Sequence, residues 1–600
     1  MSQAVLSPSG RPGRLFRGAF SLFACSLALS LAACGGGGDS TAGAQPQSVT
    51  YPSGQTDAQR FLTQATFGPT DASVQQLQAQ GFEPWIDAQL ATPPTETHVA
   101  YWARRHEALK AEGKVAGLFE VNHSFWAHAL AGPDQLRQRV ALALSEVFVV
   151  SSLSDCVGSQ PQALAGYLDM LADNAFGPYR QLLEKVSRHP LMGCYLSHLR
   201  NQRENLVTGR VPDQNYAREV MQLFSIGLYQ LNADGTPRLD ASGNPIETYT
   251  PADVAGLAKV FTGFSWDCPD RPSDACFGSG SANLSGSASS YADRWWRDMF
   301  GYEQFHSRSE KAFLGVVIPA DDHASPMADL TTALDLLALT HPNVGPFLGK
   351  QLIQRLVTSN PSPAYVGRVT AAFEASGRNL GAMVRAILTD PEARDTATAL
   401  ADPGYGKVRE PLLKLSAFLR AMGATSESGN WWLDHTDDPA NLNQTLFRAS
   451  SVFNFFRPGY VYPGGQSAAK GLVAPELQIA NESSAAGYVN YMRDVVAGGV
   501  GRTQANNPGK VSRRDIQPAY ALDTTNDWYV LANNKDASAL IERVNQKLLM
   551  GTLPDALRAD MKKVLDTFAL SATPTEEQVR NRLRAALLMA VVSPEFQVQR

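Results

Sequence analysis

Apolar residues recur at helical spacing along most of the chain after residue 57, and this periodicity restricts the fold more than any other feature. In 136–150, Val140, Leu144 and Phe148 fall on one side of a helix. The same spacing runs through four later segments, at 327–339, 344–356, 363–375 and 380–388. Pro and Gly interrupt these segments at their ends. The sequence therefore predicts a mostly α protein built around a large multi-helix domain.

Length and turn signals suggest how this helical chain is divided. Six hundred residues exceed one ordinary core, so we expect a main helical domain at 57–497 and a C-terminal helical part at 512–600, joined by a linker at 498–511. A loop insertion is expected at 266–305. Turn residues at 234–235 and 242–244 separate two short extended runs and predict one small β-hairpin or, alternatively, a pair of turns.

The first 34 residues have the features of an export signal. Three arginines precede an apolar run at 19–33, and the order Leu-Ala-Ala-Cys-Gly at 31–35 resembles a bacterial lipobox. We therefore expect Cys34 to be lipidated and to become the mature N-terminus, followed by a flexible tether at 35–56. An ordinary secretory signal cleaved nearby is the alternative. The prediction is an exported, lipid-anchored protein of the cell envelope, at the outer membrane in bacteria that have one.

Four cysteines remain after the two in the leader, and an even number in an exported protein favours disulfides. Cys268 and Cys276 close a short loop, which leaves Cys156 to pair with Cys194. Metal binding by these four is not expected, because none of them forms a CxxC pair.

Charge and motifs exclude several function classes. Without the three leader arginines, 49 basic and 57 acidic residues leave a mature net charge of −8, which disfavours nucleic-acid binding. The sequence contains no G-x-S-x-G elbow, H-E-x-x-H motif or P-loop. The turn residues Asn232, Asp234 and Asp240 offer oxygens to Ca²⁺, yet their spacing is not that of an EF-hand. We predict no metal site, and the sequence indicates no cofactor.

The stretch 213–227, DQNYAREVMQLFSIG, is predicted to form one helix with Asp213 as its cap and Gly227 at its end. Its polar stripe consists of Asn215, Arg218, Glu219 and Gln222, while Tyr216, Val220, Leu223 and Phe224 should face the core. An arginine can bind carboxylate or phosphate, and a glutamate can transfer a proton. The alternatives are a solvated helix face or a buried Arg–Glu network between helices.

Seven ordered blocks of the chain resemble one bacterial family, the domain of unknown function 1800 family. They are RFLTQATFGPT (60–70), LRQRVALALSEVFVVS (136–151), NAFGPYRQLL (174–183), HPLMGCYLSHLRNQ (189–202), DQNYAREVMQLFSIGLY (213–229), HSRSEKAFLG (306–315) and SPEFQVQR (593–600). The resemblance implies a mostly helical exported protein of unestablished activity. It also implies a partner from the domain of unknown function 1501 family, which is often encoded beside it.

The matching blocks contain a set of polar residues that could form a site. As catalytic candidates we take Glu219 and His306 for acid and base work and Arg218 for anion stabilisation. As binding candidates we take His189, Asn201, Asn215, Lys311, Trp295 and Trp296, with the tryptophans stacking on sugar rings. The structural alternative is that these groups cap helices, order loops and pin the insertion to the core. Gln222 stands where the family pattern has Glu, which weakens any mechanism with paired carboxylates or two metal ions.

Two functions remain open at this stage. The first is a surface-tethered hydrolase or lyase acting on a polysaccharide or another envelope polymer. The second is a noncatalytic envelope assembly or binding factor that works with a neighbouring exported protein. The first requires Glu219 and His306 to lie within about one water of a shared point.

Overall fold

The computed structural model describes residues 49–269, 273–281, 291–504, 513–521, 523–568 and 570–600. The expected signal peptide, the lipobox with Cys34 and the tether up to residue 48 lie outside the described residues. The described residues from 49 to 600 form one compact unit. No helix in the described ranges is both long enough and apolar enough to cross a bilayer.

Helices dominate this unit, as the apolar periodicity predicts. The first eleven helices of the described chain are α1 (Gln55–Ala65), α2 (Asp71–Gln80), α3 (Phe82–Ala91), α4 (His98–Ala111), α5 (Leu118–Ala131), α6 (Gln135–Ser145), α7 (Asp155–Gly158), α8 (Pro161–Asp173), α9 (Tyr179–Arg188), α10 (Pro190–Tyr195) and α11 (Asn215–Glu219). Helices α4, α5, α6 and α8 pack against one another. Helix α6 ends at residue 145, five residues before the end of the predicted segment 136–150, because the chain turns there and 149–150 continue in extended form.

The middle of the chain adds a second group of packed helices. They are α12 (Pro251–Val260), α13 (Asp274–Ser279), α14 (Pro326–Asp335), α15 (Val344–Leu356), α16 (Pro363–Ala375), α17 (Leu380–Thr389), α18 (Pro391–Arg394), α19 (Thr396–Ala401), α20 (Pro411–Ala421) and α21 (Gln466–Ala469). Helices α15, α16 and α17 pack together at the bounds that the sequence predicts to within two residues. The predicted helix 327–339 is α-helical only to residue 335 and continues as a π-helix, Leu336–Thr340.

The last helices surround α26. They are α22 (Glu482–Gly498), α23 (Asp527–Ala532), α24 (Ser538–Leu548), α25 (Asp555–Thr567), α26 (Glu576–Val591) and α27 (Pro594–Gln597). The other five, α22 to α25 and α27, contact α26. The first part of the expected linker forms the end of α22 and a strand, and the remainder of 498–511 from residue 505 lies outside the described residues.

Short strands connect distant parts of the chain. They are β1 (Phe264–Ser265), β2 (Phe300–Gly301), β3 (Lys311–Phe313), β4 (Val316–Ile318), β5 (Lys407–Val408), β6 (Thr425–Ser426), β7 (Val500–Gln504), β8 (Arg513–Gln517) and β9 (Val598–Gln599). All pairings are antiparallel, in the orders β1-β2, β3-β4, β5-β9 and β6-β8-β7. The predicted hairpin at 228–250 instead forms turns joined by isolated bridges such as Tyr229 to Glu247.

The core is continuous through these groups, and its aromatic members include the buried Phe148 and Phe224. Phe148 at the end of the α6 segment lies 5.3 Å, between ring centroids, from Phe224 of the central stretch. Burial of one such side chain stabilises the fold by roughly 1.5–3 kcal/mol. Because many such contacts join separate parts of the chain, the central stretch is held in a fixed position.

Helix α12 approaches strand β3 so closely that only glycine fits between them. A Cβ atom on Gly256 would lie 1.8 Å from the carbonyl oxygen of Ala312. Thr250 caps α12 by accepting a hydrogen bond from the backbone N–H of Asp253, and Pro251 occupies the first helical position. This contact fixes α12 beside the residues predicted to carry chemistry.

Candidate functional site

The central stretch is a short α-helix that changes into a π-helix. Helix α11 ends at Glu219, and Val220–Ser225 continues with π-helical hydrogen bonding. Gly227 ends it with φ of 72°, and its N–H donates to the Met221 oxygen at 2.9 Å. Asp213 caps the start by accepting from the N–H of Asn215 at 2.8 Å. The prediction of one regular α-helix over 213–227 is therefore wrong after residue 219. Single π-turns of this kind occur often at functional sites.

The polar stripe is divided by depth. Arg218 is exposed, Asn215 and Gln222 are half-buried, and Glu219 is buried. The Oε2 atom of Glu219 is sealed from solvent and has no hydrogen-bond partner among the residues that the structure describes. Burial raises the pKa of Glu219, and the neighbouring Arg218 partly opposes that rise. The direction of this shift favours the protonated carboxyl group.

A pocket of about 420 Å³ opens beside Arg218. Its walls come from the start of α11, from the turns at 228–249 and from the first turn of α12: Gln214, Arg218, Leu228, Tyr229, Glu247, Tyr249, Thr250, Pro251 and Val254. Its volume lies in the range of ordinary ligand pockets, roughly 300–1,000 Å³. The lining therefore combines aromatic and apolar surface with one cation, one carboxylate and one amide.

Arg218 and Tyr249, which both line this pocket, differ in how they are held. The Arg218 guanidinium forms no hydrogen bond or ion pair within the part of the chain that the structure describes. The Tyr249 hydroxyl donates to Oε1 of Gln222 at 3.0 Å. Burial, with Glu219 nearby, raises the pKa of Tyr249 to about 12, so its hydroxyl stays protonated. Arg218 thus remains available to a ligand, while Tyr249 is fixed in place.

His306 and Lys311 are brought together, but by a third residue and below the surface. Asp329 accepts from His306 Nε2 at 3.0 Å and from Lys311 Nζ at 2.9 Å, and both donors are completely buried. Burial opposes ionisation of Asp329, yet His306 and Lys311 hold the pKa of Asp329 below its ordinary value. The other ring nitrogen, Nδ1, lies 2.8 Å from the Thr262 carbonyl oxygen.

This geometry decides the role of His306. Each ring nitrogen lies within hydrogen-bond distance of a fixed group inside the fold, Asp329 on one side and the Thr262 carbonyl oxygen on the other. His306 is thus completely buried with both ring nitrogens occupied, and neither faces a ligand. No hydrogen bond or ion pair among the described residues joins His306 to Glu219. The two expected catalytic partners occupy separate environments.

Two further binding candidates hold local structure. His189 caps α10, where its Nδ1 accepts from the N–H of Leu191 at 3.2 Å, and burial lowers the pKa of His189 to about 4. Asn201 closes a loop by pairing with the backbone of Asp213: its Oδ1 accepts from the N–H at 2.9 Å and its Nδ2 donates to the carbonyl at 3.2 Å. Neither residue lines the pocket beside Arg218.

The two adjacent tryptophans face opposite environments. Trp295 is buried, and its ring meets Trp266 edge to face at 4.5 Å between centroids. Trp296 is 41% exposed and lines a second, shallower pocket of about 520 Å³ with Lys185, Arg188, Asp267, Arg297, Asp298 and Phe300. Lys185 is already paired with Asp298 at 2.8 Å. Trp295 therefore pins the insertion to the core, and only Trp296 can meet a ligand.

Both expected disulfides are present. Cys156 pairs with Cys194 and Cys268 with Cys276, with Cα–Cα distances of 6.4 and 6.1 Å. Among the described residues, no group of three His, Cys, Asp or Glu side chains is placed to hold a metal ion.

The sequence analysis missed a cluster of six charged side chains that lies completely inside the protein. Its members are Arg139, Glu146, Arg355, Lys407, Glu410 and Glu476. A signal was present, because Arg139 and Glu146 stand seven residues apart in an otherwise apolar segment and so fall on one helix face. Asp329 gave no comparable signal.

The six groups are linked by short contacts. Lys407 Nζ lies 3.0 Å from Glu476 and 3.8 Å from Glu410, and Arg355 Nε lies 3.3 Å from Glu146. Burial and then the neighbouring Glu410 raise the pKa of Glu146 well above its ordinary value. For Glu410 burial acts in the same direction, but Lys407 and the hydrogen bond from Glu146 outweigh it and lower its pKa. The two opposite pKa shifts favour a proton on Glu146 and negative charge on Glu410.

Comparison with known proteins gives one match. The model of a family described as "Protein of unknown function (DUF1800)" matches residues 60–598. No curated protein and no solved structure matches the chain.

Proposed function

Because the chain belongs to this family of proteins of unknown function, DUF1800, we propose a function from the geometry of its pocket. The protein is an exported, lipid-anchored binding factor of the cell envelope, and it takes a segment of an envelope polysaccharide beside Arg218. It acts without catalysis, as the second of the two functions left open by the sequence.

The observation that carries this proposal is an unpaired guanidinium in a pocket with two tyrosines. Arg218 is free to bind carboxylate, sulfate or phosphate groups on a sugar chain. Tyr229 and Tyr249 offer flat apolar faces and hydroxyl groups, which suit sugar rings that are apolar on one face and polar at the edge. Gln214 and Glu247 add an amide and a carboxylate for hydroxyl groups.

The environment of His306 favours binding over catalysis. Acid–base chemistry with Glu219 needs a second group that can exchange protons at a shared point. His306 is completely buried, and both of its ring nitrogens are occupied by fixed groups of the fold. The cluster that it forms with Asp329 and Lys311 supports the scaffold role of these residues.

The envelope location and the partner belong to the same proposal. The lipobox at 31–35 supports an acyl group on Cys34, and the family resemblance supports a neighbouring protein of the domain of unknown function 1501 family as partner. Two disulfides are compatible with export. Metabolic labelling with palmitate tests the anchor: Cys34→Ser should abolish labelling, and a labelled variant would contradict it.

A hydrolase or lyase is the second candidate, and Glu219 favours it. Its raised pKa and unpartnered Oε2 suit a general acid, and Glu247 provides a second carboxylate at the pocket. In this version Arg218 stabilises the charge that develops on the substrate, and His306 takes no part.

One set of variants tests the binding proposal. The mature chain is assayed for binding to purified exopolysaccharide, peptidoglycan and lipopolysaccharide. Arg218→Ala should weaken binding by roughly tenfold to a hundredfold, as expected for loss of one hydrogen bond to a charged group. Arg238→Ala removes an exposed arginine outside the pocket and should bind like the parent. Equal binding by all three proteins would refute the proposal.

The same samples distinguish the two candidates. Incubated polymers are analysed for new chain ends. Binding alone predicts none, and Glu219→Gln should keep its affinity within a few-fold. New chain ends that disappear in Glu219→Gln would establish the catalytic candidate instead.

A further inference from the structure

The most exposed large apolar side chains of the described chain lie side by side at the tip of one loop. Leu206 and Val207 are each 97% exposed, and Val211, close by in sequence, is 72% exposed. Isolated apolar residues at a surface are common, but contiguous ones mark contact with a partner or a membrane. We refer to residues 205–210 as the 205–210 tip.

Hydrogen bonds hold the 205–210 tip in one shape. The N–H of Asn205 donates to the Arg210 oxygen at 2.9 Å, and the side-chain oxygen of Asn205 accepts from the N–H groups of Val207 and Thr208 at 2.9 and 3.2 Å. Gly209 takes the positive φ of 71° that the turn requires. The two aliphatic side chains are thus presented by a rigid turn.

The base of the loop is also fixed. Asn201 pairs with both backbone groups of Asp213, and the N–H of Arg203 donates to the Phe305 oxygen at 2.9 Å. The loop is thus ordered at both its base and its tip. Because its aliphatic side chains are exposed, they add nothing to the stability of the fold.

The charges around the tip are positive. Arg203 and Arg210 flank it, and the Arg210 Nε atom donates to the Arg203 oxygen at 2.9 Å. The one acid at 202–212 is Glu204, whose Oε1 accepts from the hydroxyl groups of Ser307 and Ser309 in the body of the protein. Arginine beside exposed aliphatic residues is the pattern of elements that enter the interface of a membrane with acidic lipids.

We propose that the 205–210 tip is a membrane-docking element, which inserts Leu206 and Val207 among the lipids while Arg203 and Arg210 contact acidic headgroups. A phosphatidylglycerol-containing bilayer is the matching surface. This contact acts in addition to the acyl group expected on Cys34, and it sets the orientation of the protein on the membrane. It does not depend on the ligand of the pocket beside Arg218.

The test uses the chain from residue 49, which forms one compact unit and lacks any acyl group. Co-sedimentation is measured with phosphatidylcholine vesicles that contain or lack phosphatidylglycerol. The double variant Leu206→Ser/Val207→Ser changes two exposed positions, so the fold should persist. Val115→Ser removes an aliphatic side chain that is 80% exposed elsewhere and serves as the matched control.

The parent and Val115→Ser should bind the acidic vesicles alike, and the double variant should bind at least roughly tenfold more weakly. Arg210→Gln should weaken binding to acidic vesicles only, by roughly fivefold. Absence of vesicle binding by the parent, or equal binding by the double variant, would overturn the proposal. Self-association that the double variant abolishes, without vesicle binding, would assign the tip to a second copy instead.

Discussion

Replacing Glu146 and Glu410 in turn by Gln should have unequal effects on stability, although the two carboxyl groups are neighbours in one buried cluster. The opposite pKa shifts favour a proton on Glu146, so a Gln amide can take over its donation to Glu410. The same shifts favour negative charge on Glu410, which offsets the charge of Lys407, 3.8 Å away. Only the second substitution therefore removes a negative charge from the buried cluster and leaves Lys407 with Glu476 alone.

The expected magnitudes follow from burial. Breaking one partner out of a buried ion pair costs about 3–5 kcal/mol, so Glu410→Gln should lose that much unfolding free energy at pH 7. Gln444, whose Nε2 donates to Glu410 at 2.9 Å, also faces a poorer acceptor in this variant. At pH 4.5, where the parent has not yet lost this stability, Glu146→Gln should stay within about 1 kcal/mol of the parent.

The pH dependence gives a second check with a definite sign. The folded pKa of Glu146 is raised, so its contribution to stability is complete below its unfolded value of 4.5 and is lost as pH rises. Glu146→Gln cannot ionise at this position and so avoids that loss. The unfolding free energy of the variant should therefore rise relative to that of the parent as the pH increases from 4.5 to 7.

The assay is equilibrium urea unfolding of the mature chain, followed by circular dichroism, with unchanged slope as a condition for comparing midpoints. Glu577→Gln, at an exposed position of α26, is the control for loss of one carboxylate. Because the cluster is buried, added salt should not reduce the difference between the variants. Equal losses for Glu146→Gln and Glu410→Gln, or the reverse order, would refute this assignment of the proton.

Three further predictions concern stability. Removing the 38-residue crosslink with Cys156→Ser/Cys194→Ser should lower the unfolding free energy by about 4 kcal/mol in urea titrations, and an unchanged midpoint would contradict this. Burial lowers the pKa of His189 and of His198 from 6.5 to about 4. The unfolding free energy should therefore fall by up to about 3 kcal/mol per histidine as the pH drops from 6.5 to 4. In His198→Phe, this dependence of the unfolding free energy on pH should be weaker. Gly256→Ala should cost about 3 kcal/mol or more in thermal melts because its Cβ would meet the carbonyl of β3, and a parent-like melt would disprove the contact.

Helix positions could be predicted because burial on one face imposes a period that local sequence displays. Helices α15 and α16 begin and end at the predicted residues. The π-helical turn after Glu219 was not predictable in this way. The extra residue per turn of a π-helix changes the spacing of apolar residues only slightly. The π-helical turn itself results from packing against other parts of the chain.

The candidate site was predicted in part. Arg218, which lines the pocket, stood out in the polar stripe beside Glu219, because unusual residue types at helical spacing are visible in sequence. The pairing of His306 with Asp329 was not visible, since 23 residues separate them and their contact depends on how α12 and α14 pack. Tyr249 was hidden because the turns at 228–250 resembled a hairpin, whereas their function in the structure is to form a pocket wall.

Helix α12 touches both the pocket and the buried histidine. Its first turn supplies Pro251 and Val254 to the pocket wall, and Thr262, just beyond its last turn, holds the ring of His306. The ten residues of α12 itself span about 15 Å. Since Gly256 seats this helix tightly on β3, we expect it to transmit displacement as a rigid rod. A substitution at His306 should then change ligand affinity at a distance, so this residue can matter to function without ever touching a ligand.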